Sequence, residues 1–258
     1  VPKSLMEEWA KKDPIRNFEG YLLYDRDITA ESLDVINNEI KTDISLAVEA
    51  AFAEPDIEVS TSNEIESLFK KHSFQIKESS GNKSEMRLID AISNAHDLAF
   101  QKFDNLLIMG QDVAEYGGVF KITEGFVDKF GKDRIRNTPL CESAIVGTAI
   151  GLSINGYKSI VEMQFADFVT CGFNQIVNNL AKLHYRWGQN CDVVIRMPTG
   201  AGVAAGPFHS QSNEAWFFHE PGLKIVYPSS PSDAKGLLLA SIEDPNPVLF
   251  FEHKALYR

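Results

Sequence analysis

Three polar residues in the second half of the chain have types and positions suited to proton transfer or ligand binding. Glu142 stands where a short strand-like run gives way to an apolar helix, Gln164 follows a second strand-like run, and His209 follows a glycine-rich loop. An acid in a first helical turn is favoured by the helix dipole, and it can equally be a proton-transfer group whose pKa is set by burial. Taken alone, the position of Glu142 fits both roles.

The glycine-rich run 200–206 admits two interpretations. A dinucleotide-binding fingerprint has two residues between its second and third glycines, whereas this run has three, and Pro207 interrupts the helix that should follow. The interpretation that we favour is a flexible loop carrying His209. Because glycines let a loop come close to a ligand, a functional and a purely structural role for this histidine are equally open.

Strand-like and helix-like patterns alternate from Glu85 to the end of the chain. Continuous apolar strands separated by helices are typical of an α/β fold with three layers, a parallel sheet covered by helices on both faces. Ligands of such sheets bind beyond the carboxyl ends of the strands, and we expect Glu142, Gln164 and His209 to follow three neighbouring ends. The predicted strands are 105–109, 134–137, 159–163, 191–197, 223–227 and 248–252. The predicted helices are 84–102, 142–155, 168–186, 210–219 and 231–243.

The first part of the chain has a different pattern, which is helical and rich in acids. Asp13 followed by Pro14 predicts the start of one helix, and Thr29 predicts the cap of a longer helix that ends before Pro55. The apolar stripe of the longer helix must lie against another surface. The predicted organisation is a helical segment over 1–70, a polar linker over 71–84 and the α/β domain over 85–258.

The helix that begins at Glu142 is predicted to have one smooth side. Gly147 and Gly151 recur at a spacing of four residues, as do Ala144 and Thr148. Small side chains at this spacing lie on one face and allow another surface to approach closely. We therefore expect a partner to pack against this helix.

The composition excludes several classes of function. With 258 residues and a net charge of −11, the chain is large enough for a sizeable core and too acidic to bind a nucleic-acid backbone. No apolar run reaches the length of a membrane span. Three cysteines without a CxxC pair predict reduced thiols in a cytoplasmic protein. The chain starts at a valine, and we expect it to be part of a longer protein.

Four runs, read together, resemble one enzyme family. Their order and spacing are similar to those of the beta subunit of the thiamine-diphosphate-dependent 2-oxoacid dehydrogenases, the E1 components, over the pyrimidine-binding domain of that subunit. The branched-chain members are the most similar. The stretch 1–70 resembles the end of the alpha subunit, which implies a parent chain in which alpha and beta parts are fused. The four runs are 137–142, 162–168, 208–212 and 242–252.

The resemblance implies a role for each candidate residue. Glu142 would hydrogen-bond the N1′ atom of the cofactor's aminopyrimidine ring, a task for which we expect a raised pKa. Leu140, Gln164 and Phe168 would line the pyrimidine side, although the family often has tyrosine where this chain has Phe168. His209 would face the reactive carbon of the cofactor and the 2-oxo acid.

The same resemblance implies cofactors and partners. Thiamine diphosphate would bind this chain through its pyrimidine only, because the Gly-Asp-Gly motif that holds the diphosphate and Mg²⁺ belongs to the alpha part. The implied partners are that alpha-type domain, the lipoyl domain of the E2 component and a further copy of the chain. Without them the chain should be inactive. A structural potassium ion is implied at Val193, Ser241, Asp244 and Asn246, where an ordinary Asp-Pro-Asn turn is the alternative.

Other functions stay open at this point. The leading hypothesis is oxidative decarboxylation of a branched-chain 2-oxo acid with acyl transfer to the lipoyl carrier. Pyruvate or acetoin is an alternative substrate. A non-catalytic assembly module of the same fold would have no need for both Glu142 and His209. A nicotinamide-binding domain is disfavoured by the spacing of the glycines in the 200–206 run.

Overall fold

The computed structural model describes residues 1–26, 28–76 and 81–258, which form two units, Val1–Val59 and Ser60–Arg258. The first unit contains helices α1 (Lys3–Ala10), α2 (Pro14–Asp25) and α3 (Ala30–Ala53). As predicted, Asp13 caps α2 by accepting from the Arg16 N–H at 2.8 Å, and Thr29 caps α3 by accepting from the Ser32 N–H at 3.2 Å. No described residue of these three helices is buried, so the unit has no core of its own.

The second unit is built around a six-stranded sheet in which every pairing is parallel. Its strand order is β2-β1-β3-β4-β6-β5, so the predicted parallel α/β architecture is confirmed. The strands are β1 (Leu106–Gly110), β2 (Ile135–Asn137), β3 (Lys158–Glu162), β4 (Val193–Thr199), β5 (Lys224–Val226) and β6 (Val248–His253). The α-helices are α4 (Thr61–Ser67), α5 (Leu88–Lys102), α6 (Phe126–Phe130), α7 (Glu142–Ile154), α8 (Leu183–Trp187) and α9 (Pro231–Glu243).

Helices cover both faces of this sheet, which confirms the three predicted layers. On one face α7 and the helical turns after β3 bury side chains such as Val146 and Ile176 against the sheet. On the other face α5 packs against α9, with Ile92 and Leu238 in a second apolar cluster. The strands are apolar on both sides because both sides are covered.

Two predicted helices are wrong in form. The stretch 210–219 is not a continuous helix: a short 3₁₀ turn at Pro207–His209 precedes it, and it contains a second one at Glu214–Phe217. Between them the Gln211 carbonyl accepts from the Gly200 N–H at 2.9 Å and the Asn213 side chain donates to the Ala166 carbonyl at 2.8 Å, so long-range bonds hold this segment in an irregular form. The stretch 168–186 is divided into a 3₁₀ segment (Ala166–Gly172), a π segment (Gln175–Leu180) and α8.

Within the second unit, the segment that precedes α5 makes specific contacts with later parts of the chain. The side chain of Asn246 accepts from the Lys70 N–H at 2.8 Å and donates to the Lys70 carbonyl at 2.9 Å. The hydroxyl of Tyr185 also donates to Glu64 of α4. The predicted linker begins directly after this contact, and its residues 77–80 lie outside the described part of the chain.

Candidate cofactor site

The candidate residues lie at the carboxyl edge of the sheet, but the strand order corrects one expectation. Strand β1 lies between β2 and β3, so the three ends that we expected to be neighbours are not all adjacent. The residues that follow β1, Gln111 and Asp112, therefore fall between Glu142 and Gln164. Neither residue was predicted to belong to the site, although both directly follow an apolar strand, as the predicted site residue Gln164 does.

The carboxylate of Glu142 is held by a single hydrogen bond among the described residues. Glu142 is the first residue of α7 and is half-buried. Its Oε1 accepts a hydrogen bond from Nε2 of Gln111 at 3.1 Å, and Gln111 itself is only 7% exposed. Among the described residues no donor contacts the Oε2 atom. The carboxylate at the positive end of α7 is thus fixed by one oxygen, and the other is available to a ligand.

Gln164 is held in a similar way from the same loop. Its Nε2 donates to Oδ2 of Asp112 at 3.1 Å. Asp112 has a φ of 59°, a left-handed conformation that residues other than glycine seldom adopt, and its carbonyl accepts from the Gly118 N–H at 2.8 Å. Backbone strain of this kind concentrates at functional sites.

His209 lies between two aromatic rings. The ring centroid of Phe165 is 4.8 Å and that of Phe168 is 5.5 Å from the imidazole, both edge to face. The Nδ1 atom is buried and has no hydrogen-bond partner among the described residues. The loop is fixed two residues later, where the Gln211 N–H donates to Oδ1 of Asp167 at 3.1 Å. The structure therefore brings His209 to the aromatic residues that follow β3.

A groove of about 710 Å³ runs along the first two turns of α7. Ala144 and Thr148, from the predicted smooth side, are exposed in it, and the described part of the chain leaves them uncovered. Leu140, which precedes the helix by two residues, is 81% exposed. The groove is lined by Cys141, Glu142, Ser143, Ala144, Gly147, Thr148, Cys171 and Gln175.

A buried ionic cluster lies at the strand ends beneath this edge. Arg196 on β4 is fully buried and donates to Glu162 on β3 at 2.6 Å and to both oxygens of Glu252 on β6 at 2.7 Å. The Tyr257 hydroxyl also donates to Glu252 at 2.6 Å. Burial raises the pKa of the Glu162 carboxyl, and the Arg196 charge opposes that shift. Three neighbouring strands are therefore tied together by buried charges close to the candidate residues.

The residues implied for potassium lie at the opposite, amino end of the sheet. Oδ1 of Asp244 accepts from the backbone and side-chain nitrogens of Asn246 at 2.9 and 2.8 Å, and the Lys224 ammonium contacts Oδ2. The Ser241 hydroxyl donates to the Leu237 carbonyl at 2.7 Å, and Val193 is the first residue of β4. The side-chain oxygens of Asp244 thus have protein partners, and the implied potassium ion, which would also use main-chain carbonyls near Val193 and Ser241, stays a prediction.

The carboxyl edge combines groups that suit a flat heteroaromatic ring with a basic nitrogen. Glu142 offers an oxygen for such a nitrogen, and Leu140, two residues before it, offers exposed apolar surface. No group of three acidic, histidine or cysteine side chains in the described ranges is arranged to hold a metal ion. Within those ranges no helix is long and apolar enough to cross a membrane.

Comparisons with known proteins assign the α/β domain to a class. Residues 84–258 match the family model for the transketolase pyrimidine-binding domain, and the chain belongs to that family. A solved structure described as a split-gene transketolase, inactive beta4 tetramer, has the same fold, with a TM-score of 0.53 and 21% identity over 65% of this chain and 50% of that one.

The sequence identity to several curated enzyme subunits is higher than the identity to this solved structure. The chain is 50% identical over 184 residues to the mitochondrial 2-oxoisovalerate dehydrogenase subunit beta of Dictyostelium discoideum, covering 70% of this chain and 50% of the relative. It is 49% identical to the Bacillus subtilis subunit, over 68% and 54% of the two chains. The pyruvate dehydrogenase E1 component subunit beta of Acholeplasma laidlawii is 46% identical, over 66% and 53%. The resemblance to 2-oxoacid dehydrogenase beta subunits is thus confirmed, and the chain spans about half the length of these curated relatives.

Proposed function

We propose that this chain forms the pyrimidine-binding half of a thiamine-diphosphate-dependent 2-oxoacid dehydrogenase that acts on branched-chain 2-oxo acids and transfers the acyl group to a lipoyl domain. The observation that carries the proposal is the environment of Glu142. This acid begins a helix, is fixed through one oxygen and presents the other beside an open groove, in a family that binds pyrimidine rings.

Each candidate residue has a distinct task in this proposal. Bound thiamine diphosphate would supply the electron sink for decarboxylation. Glu142 holds a proton at the ring nitrogen of the aminopyrimidine, and Leu140, Gln164 and Phe168 orient the ring. His209, fixed between aromatic rings, faces the 2-oxo acid and accepts or donates a proton there.

The open groove supports the inference that a partner completes the site. Exposed small residues on α7 allow a second domain to approach closely. This second domain would bind the diphosphate group of the cofactor and Mg²⁺. The solved neighbour is described as inactive and as a tetramer of beta chains. This description is consistent with a domain of this fold that associates with further copies and needs an alpha-type domain for activity.

The proposal is tested by calorimetric titration with thiamine diphosphate and Mg²⁺. We expect the 258-residue chain alone to bind the cofactor weakly or not at all. The assembled enzyme, in which this chain is combined with the alpha-type domain, should bind it and turn over 3-methyl-2-oxobutanoate. Micromolar binding by the isolated chain would show that the diphosphate site has been misplaced. Absence of binding by the assembled enzyme would refute the function.

A second substrate deserves a direct comparison because one relative at 46% identity is a pyruvate dehydrogenase subunit. The ratio of kcat/KM for 3-methyl-2-oxobutanoate to that for pyruvate measures the preference. We expect the branched substrate to be favoured. One additional buried methylene changes such a ratio by about 10- to 200-fold. A higher kcat/KM for pyruvate than for 3-methyl-2-oxobutanoate would reassign the substrate.

A further inference from the structure

Two consecutive residues of the loop after β1 each contact a different residue of the candidate site. Gln111 donates to Oε1 of Glu142 at 3.1 Å, and Asp112 accepts from Gln164 at 3.1 Å. The left-handed φ of 59° at Asp112 turns the backbone between the two contacts. The loop is anchored on both sides, since the Asp112 carbonyl accepts from Gly118 at 2.8 Å and the Ala114 N–H donates to Asn137 at 2.8 Å.

We propose that Gln111 and Asp112 are positioning residues for the cofactor, which rests on the function proposed above. Gln111 fixes one oxygen of Glu142 so that the other, Oε2, carries the proton shared with the aminopyrimidine nitrogen. Asp112 fixes the amide of Gln164 on the other side of the same site. The proposal concerns orientation, because neither residue needs to touch the cofactor.

The chemistry of the amide is what makes Gln111 suitable. Its NH₂ group can only donate, so it selects one oxygen of Glu142 and cannot take that residue's proton. A glutamate in the same place would be a second carboxylate in a buried setting and would repel Glu142 when ionised. Once protonated, it would recover a donor. A glutamate at this position should therefore be tolerated at low pH and harmful at high pH.

Asp112 can be tested by its backbone as well as by its side chain. Asparagine keeps an oxygen that can accept from Gln164 and also adopts left-handed conformations. Alanine has no acceptor and is strained at this φ. If Asp112 positions Gln164, then the Kd of thiamine diphosphate should be nearly unchanged in Asp112→Asn and raised in Asp112→Ala.

The experiment measures the Kd of thiamine diphosphate, with Mg²⁺, for the assembled enzyme at pH 6 and pH 8. We expect Gln111→Leu to raise the Kd about 10-fold at both pH values, because it removes a hydrogen bond to a charged group. Gln111→Glu should bind nearly normally at pH 6 and about 10-fold more weakly at pH 8. The KM for the 2-oxo acid should change little while kcat falls, since the defect lies on the cofactor side.

The matched control is Gln101→Leu, which removes another amide-to-carboxylate bond, from Gln101 to Asp97 at 2.5 Å, on the exposed surface of α5. It should leave the Kd and kcat unchanged. If Gln111→Leu stays within about twofold of the parent in both quantities, or if Gln111→Glu shows the same defect at both pH values, the positioning role is refuted while the function proposed above stands. If the parent enzyme does not bind the cofactor, that function fails first.

Discussion

The two ends of the sheet each carry an acid beside an amide, and they use them differently. At the amino end Asp244 is nearly fully buried and accepts from Asn246 and Lys224, so both of its oxygens have protein partners. At the carboxyl end Glu142 is half-buried and accepts only from Gln111 among the described residues. Both residues are carboxylates next to an amide, but Asp244 has more hydrogen-bond partners than Glu142.

This difference separates structure from function. A buried acid whose hydrogen bonds are complete stabilises the fold and has nothing to offer a ligand, because any newcomer must displace a partner. An acid with one oxygen held and the other available is oriented and can still bind. Asp244 belongs to the first class and Glu142 to the second, and changes at Glu142, His209 and Asp244 test the division.

The largest effect is expected at Glu142. Changing Glu142→Gln in the assembled enzyme keeps the size of the side chain but removes the proton-holding carboxyl, so decarboxylation should fall by about two to four orders of magnitude. The midpoint of urea unfolding should move little, since only one half-buried hydrogen bond is altered. Near-normal turnover would return Glu142 to the role of a helix-terminal acid.

The next effect concerns His209. Its replacement by alanine should lower decarboxylation or reductive acylation of the lipoyl carrier on the order of 10²-fold, the lower end of losses for an acid–base group. The Kd of thiamine diphosphate should stay almost unchanged, because the imidazole is packed against Phe165 and Phe168 and lies on the proposed substrate side. An equally steep loss of cofactor binding would instead place His209 in the cofactor cradle.

At the amino end the effect should fall on stability. Asp244→Ala leaves Lys224 and the nitrogens of Asn246 without their acceptor, and we expect the free energy of unfolding to drop by about 1–3 kcal/mol. Turnover per folded enzyme should remain within about twofold. A selective loss of activity, with unfolding unchanged, would mean that the two ends do not differ as described.

A smaller effect is expected from His96, a buried histidine on α5 that bonds the Ile92 carbonyl at 2.8 Å. Burial holds its pKa well below the ordinary value of 6.5. The unfolded chain then binds a proton that the folded one does not, so stability is full above pH 6.5 and falls as the pH decreases below it, by about 1.4 kcal/mol per unit.

Urea unfolding at several pH values between 5 and 8 measures this slope. His96→Leu removes the titrating group and should flatten the pH dependence below 6.5, even if the variant is less stable at every pH. An unchanged slope in this variant would show that other groups cause the acid sensitivity.

Much of the fold could be predicted because its signals are local. Apolar strands alternate with helices, and Asp13 and Thr29 stand before helical runs as caps. The form of 210–219 could not be predicted, since the Gln211 carbonyl and the Asn213 side chain bond to Gly200 and Ala166, which are distant along the chain. Gln111 and Asp112 directly follow the apolar strand β1, which is a local signal, but their place between Glu142 and Gln164 depends on strand order, a property of the sheet and not of any one segment.

The most direct test of the account is a crystal structure of the assembled enzyme with thiamine diphosphate bound. We expect an oxygen of Glu142 to lie about 2.6–3.2 Å from a ring nitrogen of the aminopyrimidine, while the other oxygen still accepts from Gln111. A pyrimidine ring bound elsewhere, or a Glu142 carboxylate turned away from it, would contradict the central claim that the carboxyl end of this sheet is the cofactor site.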